Sequence, residues 1–352
     1  MTRQSFPIAP QTIRSSSSGD LGRLIHACLL GGAIGDALGA DIEFATLSEI
    51  RRRFPNGFCA IPTHDGVLCA ITDDTQMTLF TAEGLVRAAV RQELRGICHL
   101  PSVVHHALLR WLVTQSETPQ VELDTIGFVE DARLWARRAP GETCLASLCS
   151  AQAFGERARN TSKGCGTIMR VAPIAFLPQD RIRDVAMETS ALTHGHPTGQ
   201  EAAAAWALIL ADLARGIGIE AAAVNQHGMF GDETDQAISR ALQAPRDGAP
   251  QTVETLGGGW VAEEALSIAL YASLCARDLN HGLAVAVTHS GDSDSTGAIA
   301  GNALGLMFPE ETLTHRRAQH IECADLIAQV AQDLAFALTG RAAHLADAYP
   351  GA

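Results

Sequence analysis

The sequence predicts an all-α, compact single-domain multi-helix bundle, and three observations carry that prediction. Apolar residues recur at three- and four-residue spacing in segment after segment, as in Leu21, Leu24, Ile25, Cys28 and Leu29. Glycine and alanine are abundant while aromatic residues make up only 5% of the chain, so helix backbones can approach closely. No convincing alternating strand pattern recurs anywhere in the 352 residues.

Taken in order, residues 1–19 are polar and end in Ser15 to Ser18 and Gly19, the texture of an arm outside the domain formed by 20–352. A helix is expected from Asp20, with Ser18 or Asp20 as its cap. Its second half carries Gly31, Gly35 and Gly39 four apart, a small-residue stripe that another helix can approach. No strand precedes this stripe, so a dinucleotide fingerprint is excluded. Glu43 follows the helix end, and 45–70 reads as loop, punctuated by Pro55, Gly57 and Pro62.

Thr72-Asp73-Asp74-Thr75 then opens a strongly apolar helix through Met77, Leu79, Phe80, Leu85, Val86 and Val90. Helix capping accounts for one Asp beside a Thr, but not for two consecutive acids. Helical patterns continue at 103–113, 128–135 and 145–154, where His99, His105 and His106 are helix-face histidines without metal-ligand spacing. A glycine-flanked loop, Lys163 to Thr167, exposes backbone N–H groups that can hold an anion. After Thr193-His194, a helix from about Thr198 to Ala214 is apolar on every face and belongs in the centre of a bundle. Residues 217–258 are more polar and peripheral. Helices near 261–276 and 280–287 lead to Gly291-Asp292-Ser293-Asp294-Ser295-Thr296 and a small-residue helix beyond it. A last helix spans about 317–338.

The two acidic clusters pose an electrostatic problem, because carboxylates packed that densely repel and are costly to bury unpaired. If the fold joins them, hard divalent cations offset the charge, and the chain holds one dinuclear centre split across the sequence. A calcium loop is excluded, since neither the sixth-position glycine nor the twelfth-position glutamate is present. The net charge of −13 argues against nucleic acid as a partner. Nine scattered cysteines form no CxxC pair, which suits reduced thiols. No signal-peptide core and no uncharged run of about eighteen apolar residues is found, so a cytoplasmic protein without membrane association is expected.

The order Gly35-Asp36-Ala37-Leu38-Gly39, Glu43, Thr72-Asp73-Asp74-Thr75, Gly164-Cys165-Gly166-Thr167 with Arg170, Thr193-His194 and Gly291-Asp292-Ser293-Asp294-Ser295-Thr296-Gly297 resembles the ADP-ribosylglycohydrolase family over roughly residues 20–340. The resemblance implies an all-α fold with a two-metal centre of Mg²⁺ or Mn²⁺ and hydrolysis of ADP-ribose from protein side chains. It places Thr72, Asp73, Asp74, Asp292, Asp294 and Ser295 at metal-ligand positions, with Asp73 and Asp294 also catalytic. It places Glu43 at the scissile bond, Gly164, Gly166 and Thr167 on the phosphate loop, and His194 at a ribose- or diphosphate-side contact. Cys165 stands in that loop where related sequences often carry Asn. Arginine is the expected linkage, because the Gly-Asp-Ser-Asp-Ser-Thr-Gly element is similar to the arginine-specific branch. A rival reading from another class is an immunity protein whose arm 1–19 plugs an ADP-ribosyltransferase toxin, with or without hydrolysis.

Overall fold

The computed structural model describes residues 18–351. The expected arm lies outside these residues except for Ser18 and Gly19, which belong to α1 (Ser18–Gly39). Within the stretch read as loop, α2 (Leu47–Arg53) forms because Thr46 accepts from the Glu49 amide and the Glu49 carboxylate accepts from the Thr46 amide. A two-residue hairpin follows, β1 (Thr63–His64) antiparallel to β2 (Val67–Leu68). Both elements are too short to carry a hydrophobic period, which is why the sequence pattern conceals them.

α3 (Asp73–Arg95) stops at Gly96, whose φ of +72° gives the left-handed cap. α4 (Leu100–Thr114) follows, with Pro101 in its first turn. The helix expected over 128–135 is instead two 3₁₀ turns, Phe128–Glu130 and Ala132–Trp135, and Asp131 caps the second. α5 (Glu142–Ser150) then leads to a glycine loop and two further 3₁₀ turns at Cys165–Thr167 and Ala172–Phe176.

Next come α6 (Gln179–Ser190) and α7 (Pro197–Ala214). α7 is buried from Ala202 through Leu213 along its whole circumference, as its apolar faces require. α8 (Ile219–Gln226), α9 (Asp232–Gln243) and α10 (Pro250–Glu254) occupy the polar stretch. α11 (Ala262–Cys275), α12 (Leu279–Val287), α13 (Ser293–Met307) and α14 (Pro309–Thr314) follow. α15 (Ala324–Leu338) begins later than expected, because a 3₁₀ turn at Ala318–His320 occupies its predicted start.

The most extensive packing joins α1 to α13. Their glycines face one another backbone to backbone. A Cβ on Gly35 would sit 1.9 Å from the Gly297 carbonyl oxygen, and one on Gly31 2.3 Å from that of Gly301. In the other direction, a Cβ on Gly305 would meet the Ala27 carbonyl at 2.0 Å. The stripe read from Gly31, Gly35 and Gly39 therefore has its partner in Gly297, Gly301 and Gly305. α1 is the described helix long and apolar enough to cross a bilayer by length and composition, yet 83% of that stretch is buried inside the fold.

Candidate active site

The α1–α13 contact carries the two acidic clusters to one place. At its end, Gly39 lies against the start of α13, where a Cβ would meet the Ser293 carbonyl oxygen at 2.3 Å and the Asp294 amide at 2.4 Å. Asp36, on the same helix, fixes the start of α3. Its carboxylate accepts from the Thr72 amide at 3.0 Å, the Thr72 hydroxyl at 2.8 Å and the Thr75 amide at 3.2 Å, and from the Thr75 hydroxyl. Thr72 is the N-cap of α3 and Asp292 the N-cap of α13. Two helix N-termini, each the positive end of its helix, thus open onto a common cavity.

That cavity has a volume of about 480 Å³. Glu43, Asp73, Asp74, Asp292, Asp294 and Ser295 line it together with Gly164, Gly166 and His194, and Cys165 joins the two groups. Carboxylate oxygens of Glu43, Asp292 and Asp294 lie within 4.8 Å of one another. Thr72 and Thr167 stand behind this wall. The Thr72 hydroxyl is taken up by Asp36 and the Thr167 hydroxyl by the Gly199 carbonyl at 2.6 Å.

Burial dominates the electrostatics, and mutual repulsion adds to it. Burial, then Asp294, Asp292 and Asp73, push Glu43 up to about 10, while burial and Asp294 raise Asp36 to about 7. Asp73, Asp74 and Asp292 are pushed well above the usual carboxylate range by burial first and then by their acidic neighbours. Asp73 accepts the Gly141 amide at 3.1 Å, but one buried oxygen of Asp74 has no partner. Among the described residues, none of these carboxylates forms an ion pair with Lys or Arg. All the donors are hard oxygens, converging and uncompensated, so the residues fit a hard divalent cation.

The glycine loop is tied to the strand-like segment before α11. Gly164 bridges Val261, and the Cys165 amide donates to the Trp260 carbonyl at 3.2 Å. Lys163, the sole lysine, anchors the loop from outside by pairing with Glu233 and Glu263. The Cys165 thiol donates to Asp292 at 2.9 Å, and burial with that carboxylate raises its pKa well above normal. His194 packs so close to the loop that a Cβ on Gly164 would lie 3.2 Å from its Nε2 and one on Gly166 3.1 Å from its Cε1.

Burial, then Arg170, holds His194 down at about 3, so the imidazole is neutral. Thr193 Oγ1 accepts from Arg170 at 2.8 Å and lies 2.8 Å from His194 Nδ1, against 3.5 Å from the Ser190 carbonyl. Assigning the hydroxyl hydrogen to the shorter contact leaves His194 Nε2 as an N–H donor beside the glycine loop.

Four residues of this site escape sequence reasoning. Asp36 and Arg170 stand inside the motifs that carry the family resemblance, but the sequence assigns neither of them a role. The signal for both is a charged residue on a face that must be buried. Phe44 and Trp260 stack at the cavity mouth with ring centroids 5.3 Å apart, although both are exposed. Phe44 holds a φ of +67°, a conformation a bulky residue adopts only where its surroundings impose it. Nothing in their spacing announces the pair.

The sequence profile of the ADP-ribosylglycohydrolase family matches residues 17–344. An ADP-ribosyl-[dinitrogen reductase] glycohydrolase of Rhodospirillum rubrum is 26% identical over 298 residues, spanning 79% of this chain and 83% of that protein. An uncharacterised protein of Archaeoglobus fulgidus is 25% identical, spanning 81% of this chain and 89% of its own length. A solved structure described as an ADP-ribosylglycohydrolase-related protein complex superposes with a TM-score of 0.64 at 24% identity, covering 90% of this chain and 98% of that one, and so shares the fold. The chain belongs to the ADP-ribosylglycohydrolase family, whose members remove ADP-ribose by hydrolysis.

Proposed function

We propose that this protein is a metal-dependent hydrolase that releases ADP-ribose from modified arginine side chains. The observation that carries the reading is the cavity itself, which brings uncompensated carboxylates together with a glycine loop and a neutral histidine. Asp73, Asp74, Asp292, Asp294 and Ser295 are the lining residues to hold two Mg²⁺ or Mn²⁺ ions, and Thr72, behind them, can join only through the lone pairs its hydroxyl keeps while donating to Asp36. Bound there, such ions polarise hydroxyl oxygens and lower the pKa of water.

The chain's own residues do the rest. The Gly166 amide and the Nε2–H of His194 face the diphosphate, while the Gly164 and Cys165 amides, spent on Ser162 and Trp260, hold the loop in shape and so place the ribose against the acidic wall. Glu43, beside Asp292 and Asp294, orients the ribose or accepts the proton of the attacking water. The water oxygen bonds to the anomeric carbon, the carbon–nitrogen bond breaks, and the guanidine leaves with a proton. Stacked Phe44 and Trp260 at the mouth offer a π surface suited to a guanidinium leaving group. Free thiols at all nine cysteines suit a reducing, cytoplasmic setting.

Peptides ADP-ribosylated at Arg or at Ser, incubated with the protein and Mg²⁺ or Mn²⁺ and followed by mass spectrometry, test the reading. Release from the arginine peptide is expected. Release from serine alone overturns the arginine assignment, and release from neither overturns the hydrolase.

A further inference from the structure

A second cavity, of about 590 Å³, opens between the end of α1, the start of α12 and the segment after α14. Its wall includes Phe58, Cys59, Asn280, His281, His315, Arg316 and Arg317. None of these belongs to the acidic site. The wall sets two arginines against one aspartate, Asp278, in a protein that is strongly acidic overall.

Arg317 is the unusual member. Its side chain is 1% exposed, and it forms no ion pair with any described residue. Its terminal nitrogens donate to the carbonyls of Phe58 and Ala60 and to Asn280 Oδ1, while Nε has no partner. Buried Arg87, Arg110 and Arg138 each meet a carboxylate, and only Arg170, held by carbonyls, a hydroxyl and the Cys144 thiol, shares this lack among the described residues. A buried guanidinium satisfied only by neutral oxygens carries an uncompensated charge, which is costly.

Arg316 stands next to it and adds a second positive charge, held to the Cys59 carbonyl. His281 Nδ1 is buried without a partner on the same wall. One acid, Asp278, lines the cavity as well, and it and Glu311 are both committed to α12. Asp278 accepts the His281 amide at 2.7 Å and Glu311 accepts the Leu279 amide at 3.1 Å. Neither is paired with an arginine. Residues 1–17, outside the description, contain no Asp or Glu to supply a counter-charge.

We infer that this cavity is a second ligand site, which binds the phosphate group of a small phosphorylated molecule through Arg316, Arg317 and His281. Arg316 presents a planar set of donors that matches a phosphate oxyanion, the unused Nε–H of Arg317 is a further donor, and His281 Nδ1 donates or accepts according to its tautomer. The volume exceeds that of the acidic cavity, so a group larger than phosphate itself fits.

Inorganic phosphate is the probe, titrated by calorimetry against wild type, Arg316→Ala and Arg317→Gln at near-physiological ionic strength. Wild type should bind saturably, and each substitution should weaken binding by about tenfold, the scale of one charge-assisted hydrogen bond. Circular dichroism establishes that each variant is folded. Should Arg317→Gln fail to fold, Arg316→Ala combined with His281→Ala carries the same expectation. Because none of these residues touches the acidic cavity, hydrolysis should be retained in Arg316→Ala. Phosphate affinity unchanged in the folded variants places binding elsewhere and overturns the site, as does the absence of saturable binding by wild type.

Discussion

Around Glu83 the fold buries a carboxylate together with its counter-charges; around Asp74 it buries several with none. Both groups sit on α3, so the helix makes the contrast within one element. Glu83 is 0% exposed and meets Arg87 at 3.0 Å and Arg110 at 3.4 Å. Asp124 closes the network by pairing with the same two arginines at 3.3 and 3.4 Å. At the N-terminus of the same helix, Asp73 and Asp74 line the cavity with Asp292 and Asp294, and among the described residues no Lys or Arg pairs with any of them. A self-neutralised cluster needs nothing further from solution. A cluster that repels itself must take up protons, as its raised pKa values describe, or a cation from outside. The first arrangement belongs to the architecture and the second to the chemistry.

Removing one member from each cluster should therefore give opposite phenotypes. Asp294→Asn should reduce hydrolysis by about 10³-fold, the equivalent of about 4 kcal/mol of barrier, and lower bound Mg²⁺ or Mn²⁺ measured by metal analysis. Folding should survive, since a repulsive charge is lost. Full activity and metal content in the variant would remove Asp294 from the site. Glu83→Gln should do the reverse. It leaves two buried arginines to share Asp124, one positive charge uncompensated, and should cost about 3–5 kcal/mol in urea unfolding, with metal content unchanged in the folded fraction. A stability loss below about 1 kcal/mol would show that the network is not self-sustaining.

The contrast was half legible in the sequence. Consecutive acids at Asp73-Asp74 and the Asp292/Asp294 pair are visible because capping needs only one acid. Their convergence was an expectation drawn from the order of the motifs, and the stripe of Gly31, Gly35 and Gly39 announced only that some helix approaches α1 closely. The Glu83 network was not legible. Glu83 and Arg87 look like an ordinary exposed pair four residues apart, and Arg110 and Asp124 join them only through tertiary packing of α4 and the loop beyond. Asp36 fell between the two cases. Its place in the glycine stripe was visible, but its four hydrogen bonds depend on how α3 docks. The 3₁₀ turns at Phe128–Glu130 and Ala132–Trp135 mimic helical spacing over too few residues to be told from a helix.

The convergence itself can be attacked through the backbone contact. Gly35→Ala places a Cβ 1.9 Å from the Gly297 carbonyl, where no flexible side chain can yield. α1 and α13 must separate, at a cost of about 1–3 kcal/mol. Because Asp36 and Glu43 follow α1 while Asp292 and Asp294 follow α13, metal affinity should fall along with stability. Gly57→Ala is the control, since it faces open space away from any helix contact, although its φ of +74° carries a modest strain of its own. Stability lost in Gly35→Ala with metal affinity intact would separate the helix contact from the site.

The smallest expected effect is on pH dependence, and it distinguishes the clusters without any substitution. In the metal-free protein, Asp36 at about 7 and Glu43 at about 10 lie above their unfolded values. The folded state then holds more protons than the unfolded state, so stability is fully present below the unfolded values near 4 and is lost as pH rises through the raised ones. Buried histidines such as His194 are depressed and oppose this below about 6.5, while unfolded cysteines begin to titrate near 8.5. Between pH 7 and 8 the carboxylates dominate, and the metal-free midpoint of thermal unfolding should fall by on the order of 2 °C. Saturating Mg²⁺ holds the same carboxylates ionised and should flatten that slope, whereas the Glu83 network, already neutralised by arginine, contributes equally with and without the ion. Identical slopes in the two conditions would mean that magnesium does not reach the acidic cluster, and the division between the two regions of α3 would have to be redrawn.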